Sequence, residues 1–171
     1  MSRSSLLLST AALALGASPA VAGSLDVSID VPKMNTAEYH RPYLSFWLQK
    51  ADGQAAGTLQ VWYETGREEH GRKYLKELTS WWRKVGREMS FPADGISGAT
   101  RAPGPQKVSF DTASGVFKGL APGEYQLVVE ASREGGGHET VKAPLSWPPK
   151  AGASASAKGE RELGEVRLKV R

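Results

Sequence analysis

Residues Ser24–Val31 alternate without a break, with Leu25, Val27, Ile29 and Val31 on one side and Asp26, Ser28 and Asp30 on the other. A period of two suits a strand buried on one face, because successive side chains point to opposite faces. Pro32 ends it. The pattern recurs along the chain, and this constrains the fold more than any other feature. Pro42–Lys50, rich in aromatics, is followed by the Asp52-Gly53 turn and a returning strand, Thr58–Tyr63. Lys107–Asp111, Gly115–Lys118, Glu124–Ser132, His138–Leu145 and Glu165–Val170 read as further short strands. Gly/Pro-rich turns, among them Leu120-Ala121-Pro122-Gly123 and Gly135-Gly136-Gly137, separate several of them.

One segment departs from this period. Between Glu68 and Val85, Tyr74, Leu75, Leu78, Trp81, Trp82 and Val85 fall at helical spacing, with Arg72, Lys73, Lys76, Arg83 and Lys84 between them. The spacing predicts one amphipathic helix starting near Lys73, within an insertion near 68–86, its apolar stripe on the strands and its basic face in solvent. Pro148-Pro149 and the Ala/Ser/Gly/Lys run to Gly159 predict a flexible loop near 146–160. The expected class is mainly β: an antiparallel β-sandwich, immunoglobulin-like or prealbumin-like given the turn before Tyr125, with one inserted helix.

Residues 1–22 read as a secretory signal. Arg3 supplies the positive charge, Leu6–Leu15 the short apolar stretch, and Ala20-Val21-Ala22 the small-residue cleavage pattern. Residues 23–171 would then form a single periplasmic domain, with no later stretch apolar enough to span a bilayer. The absence of cysteine removes disulfides, thiolate metal sites and a Cys nucleophile. A net charge of +4 with acids scattered throughout argues against nucleic acid as a partner.

The chemistry-bearing stretch is Asp94-Gly95-Ile96-Ser97-Gly98-Ala99-Thr100, followed by Arg101-Ala102-Pro103-Gly104. Small residues precede a hydroxyl, an acid stands six positions before it, and a turn follows. The spacing Asp-x-x-Ser-Gly-Ala-Thr resembles the flavinylation motif of FMN-binding domains in bacterial extracytoplasmic redox proteins. The resemblance implies that a flavin transferase moves FMN from FAD onto the Thr100 hydroxyl as a phosphoester. Asp94 would assist attachment, and Ser97, Gly98 and Ala99 would shape a tight loop. Arg101 would meet the phosphate, since a guanidinium matches phosphate oxygens bidentately.

The wider order of features resembles a family of predicted periplasmic proteins catalogued as a domain of unknown function. It is carried by His40-Arg41-Pro42-Tyr43, Val61-Trp62-Tyr63, Leu78–Arg83, Ser97–Gly104, Val129–Glu134 and Gly136–Thr140. Members accompany membrane haem-type reductases and a flavin transferase. The resemblance therefore implies an electron carrier with those proteins as partners, not an enzyme with its own substrate.

Other chemistry is weaker. No two of His40, His70 and His138 stand at metal-ligand spacing, and no metal site is expected. His40 and His138 are placed either around a pocket near Thr100 or in hydrogen bonds at strand ends. No nucleophile elbow, Walker loop or dinucleotide fingerprint occurs. Trp47, Trp62, Trp81, Trp82 and Trp147 are read first as core residues. The alternative function is a non-catalytic envelope sandwich that binds a protein or glycan through an aromatic surface patch.

Overall fold

The computed structural model describes residues 23–66 and 68–171; the expected signal, 1–22, lies outside them. Nine strands form two sheets among the described residues: β1 (Ser24–Val31), β2 (Tyr43–Lys50), β3 (Ala55–Tyr63), β4 (Ser97–Ala99), β5 (Gly104–Asp111), β6 (Gly123–Ser132), β7 (His138–Trp147), β8 (Ser154–Lys158) and β9 (Glu165–Val170). One sheet has the order β5-β1-β9-β8 and the other β4-β3-β2-β6-β7. The mainly β sandwich expected from the alternation is therefore present. All pairs are antiparallel except β3 with β4, which run parallel through Val61–Ser97, Trp62–Gly98 and Tyr63–Ala99.

The inward faces form the main core. Leu25, Val27, Ile29 and Val31 of β1 meet Val166, Leu168 and Val170 of β9, and the opposite sheet contributes Leu44, Phe46, Leu48, Leu127 and Val129. Strand β2 is buried on both faces because both are covered. Leu44, Phe46 and Leu48 face the other sheet, whereas Trp47 joins Val61, Tyr63 and Val128 against the helical insertion. The molecule is thus three layers deep at β2.

The insertion is where the sequence predicts helix, but it is not one helix. It comprises α1 (Glu68–Lys73), a 3-10 turn at Leu75–Glu77, α2 (Thr79–Lys84) and a second 3-10 turn at Gly86–Glu88. The break has a cause outside the insertion. Glu130, fully buried on β6, accepts hydrogen bonds from the Ser80 and Trp81 backbone N–H groups at 2.8 and 2.7 Å. Those are unsatisfied donors at a helix start, so the carboxylate initiates a new helix there. Leu75, Leu78 and Trp81 are buried as the stripe requires, and Arg72, Lys73, Lys76, Arg83 and Lys84 are exposed.

Three local expectations change. Gly115–Lys118, read as a strand, lies in a 3-10 helix, Gly115–Gly119, that buries Phe117 against Trp147. Gly115, at φ +55°, turns the chain out of extended geometry there. Within the stretch near 146–160 read as a loop, Ser154–Lys158 forms β8, with Ala155 opposite Leu168 and Ala157 opposite Val166. The residues Ser97–Ala99, expected in a tight loop, form the edge strand β4. The turn before β6 behaves as its sequence suggests: Tyr125 Oη donates to the Ala121 carbonyl at 2.8 Å, the corner that recurs in sandwiches.

Candidate functional site

A cleft of about 1170 Å³ opens at one end of the five-stranded sheet. It lies where β3, β4 and β6 end and β2 and β7 begin, between Tyr39–Arg41 on one side and the helical insertion on the other. All three histidines of the chain, His40, His70 and His138, line it. They do not converge on a metal: among the described residues no three His, Cys, Asp or Glu side chains are grouped to hold one.

Thr100 lines the same cleft and is half-buried. Its backbone N–H donates to the Tyr63 carbonyl at 3.1 Å, continuing the β3–β4 pairing by one residue. Its hydroxyl has no hydrogen-bond partner among the described residues. The main chain is fixed and the oxygen is left over. Ala99 also lines the cleft.

The remaining motif residues support this position from behind. Ser97 Oγ accepts the Ala93 N–H at 2.9 Å, closing the turn that precedes β4. The same oxygen accepts the Tyr63 hydroxyl at 3.5 Å. Gly98 lies on Trp62, where an added Cβ would come within 3.0 Å of the ring. Asp94 is exposed in the turn, outside the cleft lining. Arg101 is also outside it, with its guanidinium 4.0 Å from the Trp62 ring centroid and donating to the Lys107 carbonyl at 2.9 Å. Two arginines line the cleft: Arg133, paired with Glu162, and Arg41, which has no ion-pair partner among the described residues.

Two phenols shape the near wall. Burial pushes the Tyr43 hydroxyl above its usual pKa, and does the same to Tyr39, so both stay neutral near neutral pH. The Tyr39 hydroxyl is buried with no hydrogen-bond partner. A buried polar atom left unsatisfied at the edge of a cleft has bonding capacity for a ligand.

Opposite lies a pair that the sequence reading did not single out. His138 Nε2 sits 2.5 Å from Glu130 Oε1, the carboxylate that also starts α2. The clue was an acid within the apolar run Val128-Val129-Glu130-Ala131. Below the cleft, Arg133 makes a bidentate pair with Glu162 at 2.9 and 3.0 Å, with side chains only 8% and 5% exposed. The Gly137 N–H also donates to Glu162, at 2.8 Å, which fixes the β6–β7 hairpin that forms the cleft rim. Trp47, Trp62 and Trp81 are core residues, as first read.

The fold and site define a β-sandwich with a polar, histidine-lined cleft at one end of its larger sheet. The chain belongs to the family described as Predicted periplasmic protein (DUF2271), which matches residues 24–165. Segments of the sequence that resembled such a family, from His40 to Tyr43, at Ala99-Thr100 and from Gly136 to His138, meet at the cleft. No curated protein and no solved structure matches the chain. Among the described residues no helix is long and apolar enough to cross a membrane.

Proposed function

We propose that this protein is a periplasmic electron carrier whose FMN is attached through Thr100 by a flavin transferase. The observation that carries the reading is the position of Thr100: main chain pinned to β3, hydroxyl unpartnered, facing a cleft of about 1170 Å³. Sites for cofactor-sized ligands typically occupy about 300–1,000 Å³, so the space suffices for the ring system. The residues present also fit the group. Tyr39 offers an unsatisfied hydroxyl, Arg41 a cation for phosphate, and Tyr43 and Tyr74 aromatic rings in the cleft lining.

In the attachment step the threonyl oxygen bonds to the flavin-side phosphorus of FAD. The pyrophosphate P–O bond breaks, AMP leaves, and the hydroxyl proton passes to the transferase or to solvent. Ala99 puts only a methyl group beside the hydroxyl, Gly98 lets the strand lie close on Trp62, and Ser97 holds the turn that presents it. When bound, the flavin supplies the redox chemistry, while the protein positions it and sets its surroundings. A membrane haem-type reductase is the proposed electron-transfer partner.

Co-expression with a flavin transferase tests this. The denatured protein should fluoresce in a gel and gain the mass of one FMN, and Thr100→Ala should lose both. A colourless protein of unshifted mass after that co-expression overturns the reading.

A further inference from the structure

The His138–Glu130 pair joins a buried carboxylate to a side chain that lines the cleft. Glu130 is fully buried, and all of its close contacts are donors: the Ser80 and Trp81 N–H groups and His138 Nε2. A carboxylate accepts on both oxygens, so Nε2 carries the proton directed at it. The tautomer and ring orientation of His138 are thereby set from within the protein. Thr79 Oγ1, 3.4 Å from Nε2, adds a second contact on that edge. The other ring nitrogen, Nδ1, meets no partner among the described residues. The His138 side chain is 39% exposed and lines the cleft that holds Thr100. A histidine fixed through one nitrogen by a buried acid, with the other nitrogen unpartnered, is the arrangement that general acid–base chemistry uses.

We infer that His138 is the proton-transfer residue of the cleft, exchanging a proton at Nδ1 with the flavin as it is reduced and reoxidised. This rests on flavin attachment at Thr100. Two-electron reduction of a flavin takes up two electrons from the reductant and one or two protons. His138 in its imidazolium form releases one of these protons from Nδ1 and becomes neutral imidazole. Its Nε2–H stays directed at Glu130 throughout. Solvent at the exposed edge of the ring restores the proton, and reoxidation runs the transfer in reverse. Other titratable groups also face this space. Glu77, His70 and Tyr74 come from the insertion, Glu64 follows β3, Tyr39, His40, Arg41 and Tyr43 lie before and at the start of β2, and Arg133 and Glu134 follow β6. Of the three histidines, His138 alone is hydrogen-bonded to a buried carboxylate; His40 lies near exposed Glu38 and Glu134, at 3.9 and 3.7 Å.

The test is a redox titration of the flavin-loaded protein across pH, beside His138→Gln, whose side-chain amide can still donate to Glu130 but cannot titrate. Mass and in-gel fluorescence establish loading in both. The expected result is a change of slope in the potential-against-pH plot of the parent, beyond the one set by the flavin's own protonation, that is absent in the variant. Identical slopes in two fully loaded proteins overturn the inference and leave flavin attachment standing. An unloaded parent overturns both. If His138→Gln does not fold or load, the His138 ring resonances of the parent are titrated by NMR in oxidised and reduced protein. A midpoint that moves with the flavin's redox state supports the transfer, and one that stays fixed overturns it.

Discussion

The guanidinium of Arg101 lies 4.0 Å from the centroid of the Trp62 ring, one residue beyond Thr100, the proposed attachment point. Trp62 is itself buried in the core between the sheets, and Arg101 covers its ring while an N–H donates to the Lys107 carbonyl of β5 in the other sheet. This gives Arg101 a packing role that the motif alone did not suggest. A partly desolvated cation–π contact and one hydrogen bond are together worth about 1–3 kcal/mol. Arg101→Ala is expected to lower unfolding stability by that amount in urea titration. It is also expected to leave the yield of flavin attachment, read by intact mass, near that of the parent.

Gly71 is fixed by a different contact. A Cβ placed there would come within 1.8 Å of the Glu64 carbonyl, a backbone atom that cannot swing aside. Gly71 is buried in α1, immediately above the end of β3. Gly71→Ala must therefore push the insertion off the sheet, and overpacking of this kind costs about 1–3 kcal/mol or more. Near-ultraviolet circular dichroism, to which Trp81 and Trp82 of the insertion contribute, should weaken in the folded variant. Gly95→Ala, at an open position with φ +70°, should cost only the smaller backbone penalty.

The Arg133–Glu162 pair joins the β6–β7 hairpin to the segment before β9, under the rim of the cleft. The hydrogen bond from Arg133 to Glu162 is the main reason that its pKa rises above the ordinary arginine value, so the guanidinium stays charged. Removing one partner strands a nearly buried charge, a loss of about 3–5 kcal/mol for such pairs. Glu162→Gln and Arg133→Met are each expected to destabilise strongly. The double variant should be less unstable than the two losses added, since neither charge is then left alone. A double-mutant cycle by chemical denaturation measures the coupling.

The strands were readable wherever apolar and polar residues alternate strongly, as in Ser24–Val31 and Glu165–Val170. They were hardest to read where the inward residues are small. Ala155 and Ala157 pack on the core between serines, and their weak contrast resembles a linker. The helical insertion was legible as an amphipathic stripe, but its break at Leu78 was not. That break depends on Glu130, 50 residues beyond Ser80 along the chain, and no local pattern contains it. The site divides in the same way. Thr100 was marked as a candidate because the motif is contiguous, and it lines the cleft. The cleft around it was not, because it is assembled from the ends of five strands. His40 and His138 were marked as pocket candidates from their segments, whereas His70 reaches the cleft only through the path of the insertion.

Glu139 links the start of β7 to the loop between β8 and β9, and its ionisation ties the stability of that junction to pH. Its carboxylate accepts the backbone N–H groups of Glu160, Leu163 and Arg161 at 2.6, 2.8 and 3.1 Å. Burial acts to raise its pKa, but the combined backbone hydrogen bonds outweigh this and hold it below the ordinary glutamate value. The folded state therefore binds the Glu139 proton less tightly than the unfolded chain does. The stabilisation is complete above the unfolded-state pKa of about 4.3 and is lost as pH falls through the lower folded-state value. Glu139→Gln keeps an acceptor but removes the charge, and should cost about 1–3 kcal/mol at neutral pH. Because the variant has no carboxylate to protonate, the difference between it and the parent should shrink as the pH falls below about 4. Denaturant titrations of both proteins at several pH values measure that convergence. A difference that stays constant into acid would mean that Glu139 acts through packing alone.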